Sequence, residues 1–98
     1  VLPVVLRFNL PGMEQKVRRM SEAMGTQDCS TFAFISEIEL LLDDIGIPKS
    51  LSEIHIPIDC AGQIARKALL DSAASTNPRS ANHGDVEQLV KTAISGAR

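Results

Sequence analysis

Pro11-Gly12-Met13-Glu14-Gln15-Lys16-Val17-Arg18-Arg19-Met20-Ser21-Glu22-Ala23-Met24-Gly25 places Met13, Val17, Met20 and Met24 at i, i+4, i+7 and i+11. That is the repeat of one helix face and not the alternation of a strand. The spacing predicts a helix that begins at Pro11, whose missing amide does no harm in a first turn, and stops at Gly25, which tolerates a left-handed helix end. Its methionine stripe is expected to be buried. The other face carries Glu14, Lys16, Arg18, Arg19 and Glu22, with Glu14 and Arg18 at the favourable i, i+4 spacing, and reads as a solvated surface.

Working outward, the same period returns. After a polar connection from Gly25 to Ser30, Ser30 or Thr31 can cap a second helix that buries Phe34, Ile35, Ile38, Leu41, Leu42 and Ile45. Gly46 and Pro48 end it. Ile47 to Pro57 mixes apolar and turn-forming residues, as in a compact loop with one helical turn. Asp59 is the expected N-cap of a third helix whose face is Ala61, Ile64, Ala65, Ala68 and Leu69, side chains small enough for close helix contact. Asn82 with Asp85 forms a capping pair for a last helix carrying Val86, Leu89, Val90, Ala93 and Ile94, and Gly96 closes it. The expected fold is all-α: a small bundle of four helices plus a stub at Val1 to Phe8.

At 98 residues the chain is one domain, residues 1–98, long enough for a single core and short for a cofactor-binding enzyme with its own substrate domain. Val1 stands where an initiator Met is expected, with the apolar pattern already running, so the chain reads as cut from inside a longer helix. A composition of 44% hydrophobic and 22% charged residues with a formal net charge of −2 is that of an ordinary globular protein. It provides no field for nucleic acid or an anionic membrane. No apolar run approaches the roughly 18 residues of a membrane span, and Val1 to Leu6 lacks the flanks of a signal peptide. A cytoplasmic protein without nucleic-acid or membrane partners is expected. Cys29 and Cys60 read as free thiols.

The chemistry-bearing residues do not assemble into a motif. His55 lies in a loop between isoleucines and His83 opens the last helix, and neither is expected to have a partner side chain that would make it a metal ligand. Asp43 and Asp44 point in different directions from a helix end. No serine lies in a nucleophile elbow, and no Gly-rich loop follows a strand. By its own residues the chain is expected to contain no catalytic, cofactor-binding or metal site. Ser75-Thr76-Asn77-Pro78-Arg79 is a short interhelical loop in which Pro78 pushes Asn77 out of helical geometry and Asn77 caps locally. Arg79 adds a five-donor fork able to pin the loop against carbonyls or a carboxylate on a neighbouring domain. Asn77, Pro78 and Arg79 are thus expected to organise this loop.

Leu2-Pro3-Val4-Val5-Leu6-Arg7-Phe8-Asn9, Ile45-Gly46-Ile47-Pro48-Lys49-Ser50-Leu51 and Ser75-Thr76-Asn77-Pro78-Arg79 resemble, in order and spacing, segments of the C-terminal helical domain of the iron-containing (group III) alcohol dehydrogenases, a dehydroquinate-synthase-like fold. The resemblance covers nearly the whole chain. It implies a missing N-terminal nucleotide-binding domain that takes NAD or NADP, and Fe(II) or zinc in the cleft between domains. It implies that the metal ligands, an Asp and three His, would all lie upstream of Val1, the last His about two turns before it on the same helix. It further implies a small alcohol or aldehyde substrate, hydride transfer with the metal as Lewis acid, a homo-oligomer when intact, and no cofactor bound to this chain alone. Ala73, Ser75 and Thr76 fall in the segment that would line the substrate side of the cleft. The sequence departs from the family pattern in having Val4 where a His is frequent, Ala73 where a Cys is common, and a short connection between Gly25 and Thr31.

A different class of function fits the same residues: a free-standing helical protein–protein interaction module that presents the Met13–Met24 stripe to a partner helix. A helix-turn-helix DNA reader ranks last, because no recognition helix is basic.

Overall fold

The computed structural model describes residues 1–96. Among them, five α-helices run in the order α1 (Leu2–Asn9), α2 (Glu14–Met24), α3 (Thr31–Asp44), α4 (Ala61–Leu70) and α5 (His83–Ser95). Short 3-10 turns at Leu51–Ile54, Ile58–Cys60 and Ser72–Thr76 link them, and no strand occurs among the described residues. The expected stub is a full helix, α1, with Pro3 in its first turn, where a missing amide is tolerated.

α2 begins three residues later than expected. Leu10 to Met13 form a turn closed by Met13 N–H donating to the Leu10 carbonyl, with Pro11 second and Gly12 third at φ +85°. That is the residue order of a type II turn, and the left-handed glycine cannot belong to a helix. The buried face of α2 also differs. Val17 and Ser21 are buried while Met20 and Met24 are exposed, so the methionine stripe is not the core face. Ser21 stands one turn after Val17, and its small side chain lets α3 approach. Its hydroxyl is buried without a hydrogen-bond partner among the described residues. Ser21→Ala is therefore expected to raise stability by about 1 kcal/mol, as an unsatisfied buried hydroxyl is removed and helix propensity improves. A lower denaturation midpoint in the variant would overturn this.

α3 is specified at both ends. Ser30 Oγ accepts from Ala33 N–H at 3.1 Å, and Gly46 takes φ +77°, releasing Ile47 N–H to the Leu42 carbonyl. The Ser30 amide also donates to Asp28 Oδ1 at 2.9 Å, and this bond holds the Asp28 carboxyl below its usual range. Of the expected core residues of α3, Phe34 and Ile35 are buried and Ile38 partly so, but Leu41 and Ile45 are exposed. Asp59 caps nothing: Pro57 initiates the Ile58–Cys60 turn, which runs straight into α4, so the chain is already helical where the cap was expected.

α4 and α5 pack together closely, with Ala61 and Ala65 buried and the Glu87 carboxylate 3.9 Å from where a Cβ on Gly62 would stand. Asn82 and Asp85 form the expected capping box, and Gly96 ends α5 in the left-handed conformation. α1 is the shared element of the fold. It packs on α3 on one side and on α5 on the other, joining the α2–α3 cluster of Val17, Phe34 and Ile35 to the α4–α5 pair.

Candidate functional site

The site is built around the connection between α4 and α5. Asp71 leaves α4 with extended backbone, and its Oδ1 accepts from Ala73 N–H at 2.8 Å, which starts the Ser72–Thr76 turn. Pro78 then holds Asn77 at φ −62°, ψ 137°, the extended conformation required before proline. The turn cannot continue, and the chain is redirected toward α1.

There the loop is fastened. Asn9 Nδ2 donates to Asn77 Oδ1 at 2.9 Å, and Asn77 Nδ2 donates back to Asn9 Oδ1 at 2.8 Å, a reciprocal amide pair. Asn9 is buried, and Asn77 Nδ2 also reaches the Arg79 carbonyl at 2.6 Å. Arg79 Nη1 donates to the Phe8 carbonyl at 2.9 Å, and its guanidinium sits 4.1 Å from the centroid of the Phe8 ring. A cation at that carbonyl meets the negative end of the α1 dipole as well as the aromatic face. Phe8 and Asn9, the residues that receive the loop, carry no site expectation from sequence. Neither helical periodicity nor motif spacing links them to Asn77 and Arg79 across some 70 residues of chain.

Beside this clasp lies an apolar groove of about 440 Å³ between α1, α4, α5 and the 3-10 turn, lined among others by Val5, Phe8, Leu69, Ala73, Ala74 and Leu89. Ala73 lines this groove. The hydroxyls of Ser75 and Thr76, in the same turn, donate to the carbonyls of Ser72 and Ala73 at 2.8 and 3.0 Å. Asp71 reaches the groove margin, with one oxygen engaged as the turn cap. Such walls can exclude water and shape an apolar space.

The histidines are separate from the groove. His55 closes the Leu51–Ile54 turn in the left-handed conformation at φ 67°. His83 does have a partner, against expectation: Glu87 lies one turn on, with Oε2 3.6 Å from Nδ1, while Nε2 is 3.3 Å from the Gly62 carbonyl. Lys91 Nζ meets the other Glu87 oxygen at 3.1 Å. The Gly62 contact ties α5 to α4, and the two ion pairs lie within α5. Cys29 and Cys60 are free and partly buried, and no three His, Cys, Asp or Glu side chains converge as metal ligands among the described residues. The residues present therefore do not fit a metal site of their own. No helix is long and apolar enough to cross a membrane among the described residues.

Comparison with known proteins agrees with this architecture. The model of the Fe-containing alcohol dehydrogenase family, C-terminal part, matches residues 1–94. The chain is 32% identical over 101 aligned residues to the 1,3-propanediol dehydrogenase of Citrobacter freundii, covering 96% of this chain and 26% of that protein. The enzyme of the same name from Klebsiella pneumoniae is likewise 32% identical, with the same coverage. The lactaldehyde reductase of Escherichia coli K12 is 28% identical over 99 residues, covering 95% of this chain and 26% of that protein. This chain thus spans about a quarter of the length of these relatives. No solved structure gives a significant match.

Proposed function

We propose that this chain, which belongs to the Fe-containing alcohol dehydrogenase family and carries its C-terminal helical part, walls the active-site cleft of a metal-dependent, NAD(P)-linked alcohol oxidoreductase. The family match over residues 1–94 carries this reading. The similarity to a propanediol dehydrogenase and a lactaldehyde reductase supports a small alcohol or aldehyde as substrate. In the complete protein the metal would supply Lewis-acid polarisation of the substrate oxygen and the nicotinamide the hydride. The groups that hold both would come from the remainder of the polypeptide, since this chain assembles no ligand set.

The part of the work assigned to these residues is positional. Asn77 and Arg79 hold the Ala73–Thr76 turn against the end of α1, and Val5, Phe8, Leu69 and Leu89 give the adjoining groove its apolar lining. A rigid apolar wall lowers the local dielectric around a reacting centre and limits the poses open to a substrate. Ala73, with the smallest side chain able to line the groove, leaves room there for substrate.

The test is an assay of the full-length protein with Fe(II) or Zn(II), NAD or NADP, and a panel of short alcohols, diols and aldehydes. Nicotinamide reduction with an alcohol, and oxidation with the aldehyde, are expected only in the presence of metal. Absence of turnover with every combination in a folded full-length protein would remove this reading.

A further inference from the structure

Among the described residues, the wall of the groove between α1, α4 and α5 is apolar but for two side chains, Asp71 and Asn77. Asn77 is committed: its amide nitrogen donates to Asn9 Oδ1 and to the Arg79 carbonyl, and its oxygen accepts from Asn9 Nδ2. Asp71 is committed on one oxygen only, Oδ1, which takes the Ala73 amide at 2.8 Å. The ion pairs of the described residues join Arg7 to Glu39, and Glu87 to His83 and Lys91, and none of them neutralises Asp71. Its Oδ2 is thus the side-chain acceptor on this wall that stays open to a ligand.

A pocket with an apolar lining and few polar groups takes its selectivity from those groups. Ala68, Leu69, Val86 and Leu89 offer contact to a hydrocarbon stem, and such a lining barely separates an alcohol from its analogue with one more hydroxyl. An ionised carboxylate only accepts hydrogen bonds. It favours a ligand that brings a hydroxyl, in a charge-assisted bond, and repels one that brings a carboxylate of its own. Because Asp71 also caps the Ser72–Thr76 turn, the backbone already holds its carboxyl group, and the ligand has little left to order.

We propose that Asp71 is a specificity-determining residue. Among the small alcohols and aldehydes of the proposed function it selects those with a second hydroxyl group, diols and hydroxyaldehydes, by accepting that hydroxyl on Oδ2. It turns away those with a carboxylate in the same place. This deepens the reading of the groove as a cleft wall and rests on it. The oxygen that is oxidised or reduced is one end of such a substrate and the hydroxyl at Asp71 the other, so the carboxylate acts on binding and orientation and takes no proton.

The experiment measures kcat/KM of the metal-loaded full-length protein for 1-propanol, 1,2-propanediol, 1,3-propanediol and 3-hydroxypropanoate. The parent is expected to favour at least one diol over 1-propanol by about tenfold or more. Asp71→Ser keeps a turn cap without the second oxygen, and is expected to lower that diol-to-propanol ratio about tenfold. Asp71→Asn keeps an acceptor for Ala73 N–H and removes the charge, and is expected to raise the ratio of 3-hydroxypropanoate to 1-propanol about tenfold. A parent that does not distinguish the diols from 1-propanol would overturn the proposal and leave the oxidoreductase reading intact. Equal losses on every substrate in both variants, with the ratios unchanged and the thermal midpoint lowered, would also overturn it by making Asp71 a turn cap alone. No turnover of any of the alcohols by the folded full-length protein would remove both readings.

Discussion

Phe34→Ala is expected to cost about 3–5 kcal/mol, the range for emptying a buried phenylalanine site. A domain of this size has only some 5–15 kcal/mol in total. The chain has no Trp or Tyr and three Phe, of which Phe32 is 81% exposed and Phe8 lines the groove. Phe34 is therefore the one aromatic ring in the cluster with Val17 and Ile35, where the flanking Leu6, Leu10 and Ile38 are too few to collapse into the space it would leave. Urea unfolding followed by circular dichroism would show the midpoint falling sharply, while Phe32→Ala should stay within about 0.5 kcal/mol of the parent. A loss below about 1 kcal/mol at Phe34 would mean that α3 is held by something other than this cluster.

The second large effect is expected at Asn77. Asn77→Ala leaves the buried Asn9 amide with neither its donor nor its acceptor, a cost of about 1–3 kcal/mol. Asn77→Asp should fare no better, because it retains an acceptor and loses the amide that serves both Asn9 Oδ1 and the Arg79 carbonyl. A double-mutant cycle with Asn9→Ala should give a coupling of about 0.5–3 kcal/mol. Strict additivity of the two single losses would show that the pair contributes nothing as a pair. Under the proposed function, Asn77→Ala in the full-length protein is also expected to raise the KM for the alcohol, and an unchanged KM would remove the positional role.

How far the sequence foretold this structure depended on the range of the signal. Ser30, Gly46, the Asn82–Asp85 box and Gly96 act within a few residues of themselves, and each was legible because capping chemistry is local. Pro11-Gly12 was misread because a proline suits both a helix start and the second position of a turn, and the following glycine selects the turn. The methionine stripe failed for another reason. Periodicity identifies a helix, but where that helix meets its neighbour decides the buried face, and α2 meets α3 through Val17 and Ser21. Leu41 and Ile45 carry the pattern of buried residues, yet no described element lies over them. The site was legible only on one side: Asn77-Pro78-Arg79 announced a constrained loop, while its receptors Phe8 and Asn9 look like ordinary residues at the end of a short helix.

α1 spans about 12 Å at 1.5 Å per residue over its eight residues, with its C-terminal end held by Asn77 and Arg79 and its N-terminal end beside Leu42, Ile47 and Ile54. A short helix is stiff, so it transmits displacement as a lever does. Any tilt of α1 would swing Phe8 and Asn9, and with them the Ala73–Thr76 turn, because the guanidinium and the amide pair link the two. The width of the groove is thereby geared to the tilt of α1, so a change at the far end of that helix is felt at this wall without contact between the two.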